Sequence, residues 1–270
     1  MSSSPAAELH PIFNTTWTTF TLPLLHNFPL TSASLKPHSK RFLQLLRGLN
    51  TRGVLLPSVT ATTEAARTGA LQSCIWDLLP APYNGVSITV NYEHTSYKTL
   101  LLSDGGKTKP GFTRFPLLLS RFPAQIRGML LEYLETNFDT LPLPLQLPEA
   151  LLRGCLEGYV AETGGGGREV ALIFGGKAEG LKRITITLSG EDVAGFWQRR
   201  EGGRFLDVLG GHLEEVMGLR IDEMELQKVA SGGFVMAVEG KMKFFEGGGE
   251  AVIEAVFQEA AKSLLYLESE

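Results

Sequence analysis

The chain has 270 residues, room for one large domain or two modest ones at roughly 150 residues apiece. Apolar residues make up 43% and charged residues 20%, which supplies a sizeable core and excludes a chain disordered throughout. The formal net charge of −4 conceals a split, because residues 1–131 hold 12 Lys/Arg and 5 Asp/Glu while residues 132–270 hold 13 and 24; a sequence pI near 5.8 therefore does not exclude a polyanion partner for the front of the chain.

In chain order, Met1 to Ala7 is a short Ser/Pro tail without the basic-then-apolar sequence of a secretory signal. Phe13 to Leu25, rich in Thr and aromatics, predicts an early strand that breaks at Pro23. Lys36 to Gly48 predicts a helix: Leu35, Phe42, Leu45, Leu46 and Leu49 fall near helical spacing, and Gly48 or Gly53 ends it. Strict alternation of Val86, Ile88, Val90 and Tyr92 with Ser87, Thr89, Asn91 and Glu93, then a turn and Tyr97 to Leu102, predicts a hairpin with one buried face. Asp104 to Gly111 is a loop.

Pro123 opens a second helix carrying Ile126, Met129, Leu130, Tyr133 and Leu134, which fades near Asn137. The Pro/Leu alternation from Leu141 to Leu147 confines that piece to an edge strand or extended crossover. A helix from Pro148 to about Tyr159 comes next, and the quartet Gly164–Gly167 is the candidate boundary between unit 1–163 and unit 168–270. Beyond it come strands over Glu169–Phe174 and Arg183–Leu188, then a helix capped by Ser189. A helix striped by Phe205, Leu209, Leu213 and Val216 succeeds it. Strands Arg220–Val229 and Phe234–Phe245, joined across Ser231-Gly232-Gly233, precede a final helix, Glu250–Leu267. The pattern is α+β, with mixed or antiparallel sheets flanked by helices in two structural units.

The chemistry-bearing residues are sparse. Cys74 and Cys155 stand 81 positions apart in no metal-ligand spacing and read as core residues in a reducing compartment. None of His10, His26, His38, His94 and His212 pairs at i, i+4 on a helix or sits beside a Cys or carboxylate at a ligand interval. Gly105-Gly106-Lys107-Thr108 imitates the end of a phosphate loop, but Leu101 stands where the first glycine belongs and Pro110 comes after it instead of a helix. No Gly-x-Ser-x-Gly elbow occurs. The acidic pairs Glu191/Asp192, Glu214/Glu215 and Asp222/Glu223 read as solvated faces. The expectation is no metal and no cofactor, and no apolar run approaches the ~18 residues of a membrane span.

Lys36, Lys40, Arg41, Arg47 and Arg52 cluster within 17 residues, and Lys98, Lys107, Lys109 and Arg114 come later. They fit either a solvated basic helix and loop or contact with a phosphate backbone, which needs only Lys/Arg along a groove. The stretch Phe234–Phe245 puts Phe234, Met236, Val238, Met242 and Phe244 on one face and bears Lys241 and Lys243 on the other. That face either covers the terminal helix or serves a partner, whose sheet the strand could extend.

The order of elements resembles the CENP-L family of the inner kinetochore, in a fungal version. Three stretches carry the resemblance. The first is Asn14-Thr15-Thr16-Trp17 with the apolar Leu22 to Phe28 and a basic helix through Arg41 to Leu46. The second is the block Phe115 to Leu147, FPLLLSRFPAQIRGMLLEYLETNFDTLPLPLQL, and the third is Ile184-Thr185-Ile186-Thr187-Leu188 with its Glu191-Asp192-Val193 helix start. The resemblance implies a nuclear, non-enzymatic assembly protein of the centromere. It implies pairing with a CENP-N-like protein through the C-terminal half, alongside CENP-H/I/K/M-like subunits, on the centromeric CENP-A nucleosome. A homodimer in the absence of that partner is a further expectation. On the residues alone, two rivals stay open: an α/β enzyme or small-ligand protein with a site assembled from distant residues, and an adaptor that pairs by sheet extension and touches no DNA.

Overall fold

A computed structural model describes residues 10–28, 30–51, 68–106, 108–175 and 183–267. Arg52, Gly53, Lys107 and the tail Met1 to Ala7, all singled out above, lie outside the described residues. The chain divides into two compact units: residues 18–144 with the chain from Ala260 onwards, and the residues up to Trp17 with 145–259.

The first unit is an antiparallel sheet under two helices. Strands β1 (Thr16–Thr21), β7 (Leu117–Ser120), β5 (Ser96–Ser103), β4 (Asn84–Tyr92) and β3 (Leu71–Leu78) lie in that order, and β8 (Leu143–Pro144) pairs with β1. The predicted hairpin is β4–β5, with Val86, Ile88 and Val90 fully buried. A separate two-stranded ribbon joins β2 (Leu25–His26) to β6 (Phe112–Thr113). Helix α1 (Ser32–Thr51) begins four residues before its predicted start because the Thr31 hydroxyl accepts the Ser34 amide at 3.2 Å. Helix α2 (Ala124–Phe138) ends where Asp139 takes a left-handed conformation, φ 51°, and donates its amide to Glu135 O at 3.1 Å. Leu35, Phe42 and Leu46 of α1 and Leu130, Tyr133 and Leu134 of α2 bury themselves with Trp76, Ile88, Leu101 and Leu118 of the strands. Cross-strand partners Thr99 and Ser120 satisfy each other inside this core, Oγ1 to Oγ 2.9 Å.

The second unit orders its antiparallel strands β10 (Arg183–Leu188), β9 (Val170–Gly175), β11 (Glu225–Ala230), β12 (Phe234–Ala237) and β13 (Lys241–Phe244). Its helices are α3 (Glu149–Glu162), α4 (Gly190–Arg199), α5 (Phe205–Met217) and the part of α6 (Glu250–Leu267) up to Glu259. The Ser189 cap is a full capping box with Asp192. Val216 does not join the α5 stripe: it is 65% exposed, one turn past the buried Leu213.

Two sequence expectations are corrected here. The glycine quartet does not separate the units, whose division falls at Pro144/Leu145. Helix α3 belongs with the elements downstream of the quartet: the Glu157 carboxylate accepts the Phe205 and Leu206 amides at 2.9 Å each, and Arg153 donates to Met224 O. The quartet itself closes α3, since the Gly165 amide reaches Val160 O at 2.9 Å and a Cβ on Gly165 would meet Trp197 Cβ at 2.7 Å. The stretch Phe234–Phe245, predicted as one strand, is the hairpin β12–β13. Gly240, at φ +77°, turns the chain and returns its amide to Ala237 O.

Candidate interaction surfaces

The hairpin register sets Phe234 against Phe244 and Met236 against Met242. All four are buried, with the Tyr159 ring edge-on to Phe234 at 6.1 Å. They cover their own unit. Nor is the hairpin's backbone free to extend a partner's sheet. β12 lies between β11 and β13, and the outer side of β13 takes Phe13 in a parallel bridge to Phe244, with the Asn14 amide on Phe244 O at 2.8 Å. Val238 is half-buried at the turn, where its carbonyl accepts the Leu147 amide at 3.0 Å. Lys241 is exposed beside Glu239, and the Lys243 ammonium lies 4.8 Å from the centroid of Phe245.

The backbone edge of this unit is β10. It pairs with β9 from Arg183–Gly175 to Leu188–Val170, and among the described residues it ends the strand order. Ile184 and Ile186 share the face of Phe174 and Leu172 but stand half-buried, because no further strand covers them; Arg183, Thr185 and Thr187 are exposed. The strand has no proline and no bulge, and its one charge is Arg183 at the end. Those are the devices by which edge strands are normally kept from pairing, and their absence makes β10 a template for another strand. The strand itself was legible from its β-branched alternation; its position at the edge was not, since strand order depends on contacts distant in sequence.

The basic cluster is divided by its helix. At 3.6 residues per turn, Lys36, Lys40 and Arg47 fall within about 40° of one another on α1, whereas Arg41 lies about 120° round from them. Lys36, Lys40, Arg41 and Arg47 are all exposed, and α1 carries no acidic residue. The helix thus presents one basic stripe of three residues, with Arg41 on a different flank, facing α2.

These surfaces belong to a chain whose sequence matches the family model of CENP-L, centromere protein L, over residues 11–267. The chain belongs to the CENP-L family. It is accordingly a centromere protein of the kinetochore, acting in the nucleus within a complex of other subunits. No curated protein matches the sequence.

In this CENP-L chain the titratable side chains follow their burial. The thiols of Cys74 and Cys155 are free and buried, and burial pushes them up to about 12 and about 11. His38 Nδ1 lies 2.8 Å from the Tyr133 hydroxyl, with its ring stacked on Trp76 at 5.9 Å. Burial, and then the charge of Arg41, lower its pKa. Among the described residues no three His, Cys, Asp or Glu side chains gather as metal ligands, and no helix is long and apolar enough to cross a membrane.

Proposed function

We propose that this CENP-L chain is a non-enzymatic structural subunit of the inner kinetochore that heterodimerises with a CENP-N-like protein through its C-terminal unit. The observation that carries the reading is the open β10 edge: a backbone row with hydrogen-bonding groups to satisfy, flanked by Ile184 and Ile186 with apolar surface left to bury. Phe234, Met236, Met242 and Phe244 support the same pairing from inside, as the packed core that holds the sheet rigid behind that edge. The Lys36–Lys40–Arg47 stripe of the other unit serves contact with the phosphate backbone of centromeric DNA and reads no base. CENP-H/I/K/M-like subunits complete the assembly. Without its partner, the same edge serves a second copy of the chain.

Co-expression with the CENP-N-like protein and size-exclusion chromatography with light scattering test the pairing. A 1:1 complex is expected. Ile186→Lys, which sets a charge on the core face of the edge, should weaken it at least tenfold, a difference of about 1.4 kcal/mol. The melting temperature of the isolated variant reports whether it still folds. A folded variant that pairs with undiminished affinity overturns the assignment to β10.

A further inference from the structure

The flank of α1 that carries Arg41 forms one bank of a groove whose other bank is α2. Arg41 and Leu45 line it from α1, and Met129, Glu132 and Tyr133 from α2; the cavity between them is about 800 Å³. Both banks recur at helical spacing, i, i+3, i+4, i+7 from Arg41 to Gly48 and again from Met129 to Thr136. Such a groove is two turns long, about 10 Å at 1.5 Å per residue. Leu45 is 47% exposed in it. Its floor is fixed, because Tyr133 is held by His38 and packs edge-on against Phe42 at 5.5 Å and Trp76 at 5.7 Å.

Two helices that leave an apolar channel between facing stripes lack the third helix of a packed layer, and an amphipathic helix supplies it through residues at i, i+3/i+4 and i+7. Charge sets the kind of helix. The α1 bank bears Arg41, on a helix that carries no acidic residue, while the far bank bears Glu132. A duplex would meet Glu132 and the apolar Leu45 and Met129, whereas surfaces that bind DNA are polar and strongly positive.

We propose that this groove docks an acidic amphipathic helix of a partner protein. The apolar stripe of the partner covers Leu45, Met129 and Tyr133, its acidic flank meets Arg41, and Glu132 turns that flank away from α2. This docking is independent of the β10 pairing and lies in the other unit.

The experiment replaces Leu45 with the photo-crosslinker p-benzoyl-phenylalanine in the full chain, assembled in nuclear extract, and sequences the adduct by mass spectrometry. A peptide with Leu, Ile or Val at i, i+3/i+4 and i+7 flanked by Asp or Glu is expected. Its yield should fall about tenfold with Arg41→Glu, stay with Arg41→Lys or Lys36→Glu, and return when the matching acid of the captured helix is changed to Arg. A nucleic-acid adduct, an adduct to a second copy of this chain, or one to a basic or non-helical segment overturns the proposal. So does the absence of an adduct at position 45 when the same probe at Thr185 captures a partner strand, an outcome that leaves the heterodimer reading standing.

Discussion

Gly233 stands in the turn before β12, where a Cβ would lie 2.6 Å from the Gly248 carbonyl oxygen and 2.8 Å from the Tyr159 ring. Neither neighbour is the loose end of a flexible side chain, so Gly233→Ala is expected to cost about 1–3 kcal/mol through backbone displacement. Gly211→Ala is the control: nothing lies within 4 Å of its Cβ, and in helix α5 the change should be neutral or stabilise by about 0.4–1 kcal/mol. Urea midpoints of the two variants give the comparison. Ser231-Gly232-Gly233 was legible as a turn, and the run Gly247–Gly249 has the composition of one. That the two turns press on each other around Tyr159 was not, because nothing in either run records a contact 15 positions away. His38 carries a second residue-scale expectation. Its pKa is lowered on folding by burial and Arg41, so the unfolded chain binds the proton first as pH falls. The stability it contributes is present in full above its ordinary value of about 6.5 and declines as pH drops towards the lowered value. Melting temperatures between pH 7.5 and 5.5 should show this decline, and His38→Gln should flatten it.

At the scale of elements, amphipathic period was readable wherever one face meets the core. The β4–β5 hairpin and helix α2 fall within a residue or two of their sequence-based positions for that reason. The single strand expected over β12–β13 has the same origin. Met236, Val238, Gly240 and Met242 keep a period of two straight through the turn, so pattern alone runs two strands into one; the cue against it is Gly240, whose positive φ marks a reversal. Helix α1 shows what spacing adds to a list of charges. Lys36→Glu, Lys40→Glu and Arg47→Glu together should lower the affinity of the heterodimer for duplex DNA. The slope of log affinity against log salt should shrink by about 2–3, near 0.9 for each phosphate no longer neutralised. Arg41→Glu, on the other flank, should change that affinity less than about twofold. Fluorescence anisotropy of a labelled duplex at three salt concentrations measures both, and a triple variant with the parent's slope would remove DNA from the role of this stripe.

For the whole molecule, the charge step at residue 131 and the structural division at Pro144/Leu145 lie close together. Residues 18–144 hold 12 basic and 7 acidic side chains, and residues 145–259 hold 12 and 19. Charge pointed nearer to the division than the glycine quartet did. Glycine richness marks any place where the backbone turns sharply, including a packed helix end, whereas a change in net charge tracks a change in surroundings. The class, α+β in two units, was readable from the succession of periods. The membership of the second unit was not, because it recruits Ile12, Phe13 and Asn14 from the front of the chain. Phe13 bridges Phe244, and synthesis at roughly 5–20 residues per second must run for on the order of 10–50 seconds between the two. A fragment starting at residue 145 would therefore leave the outer side of β13 without Phe13 and Asn14, and on the ribosome the second unit is completed by residues that emerged first.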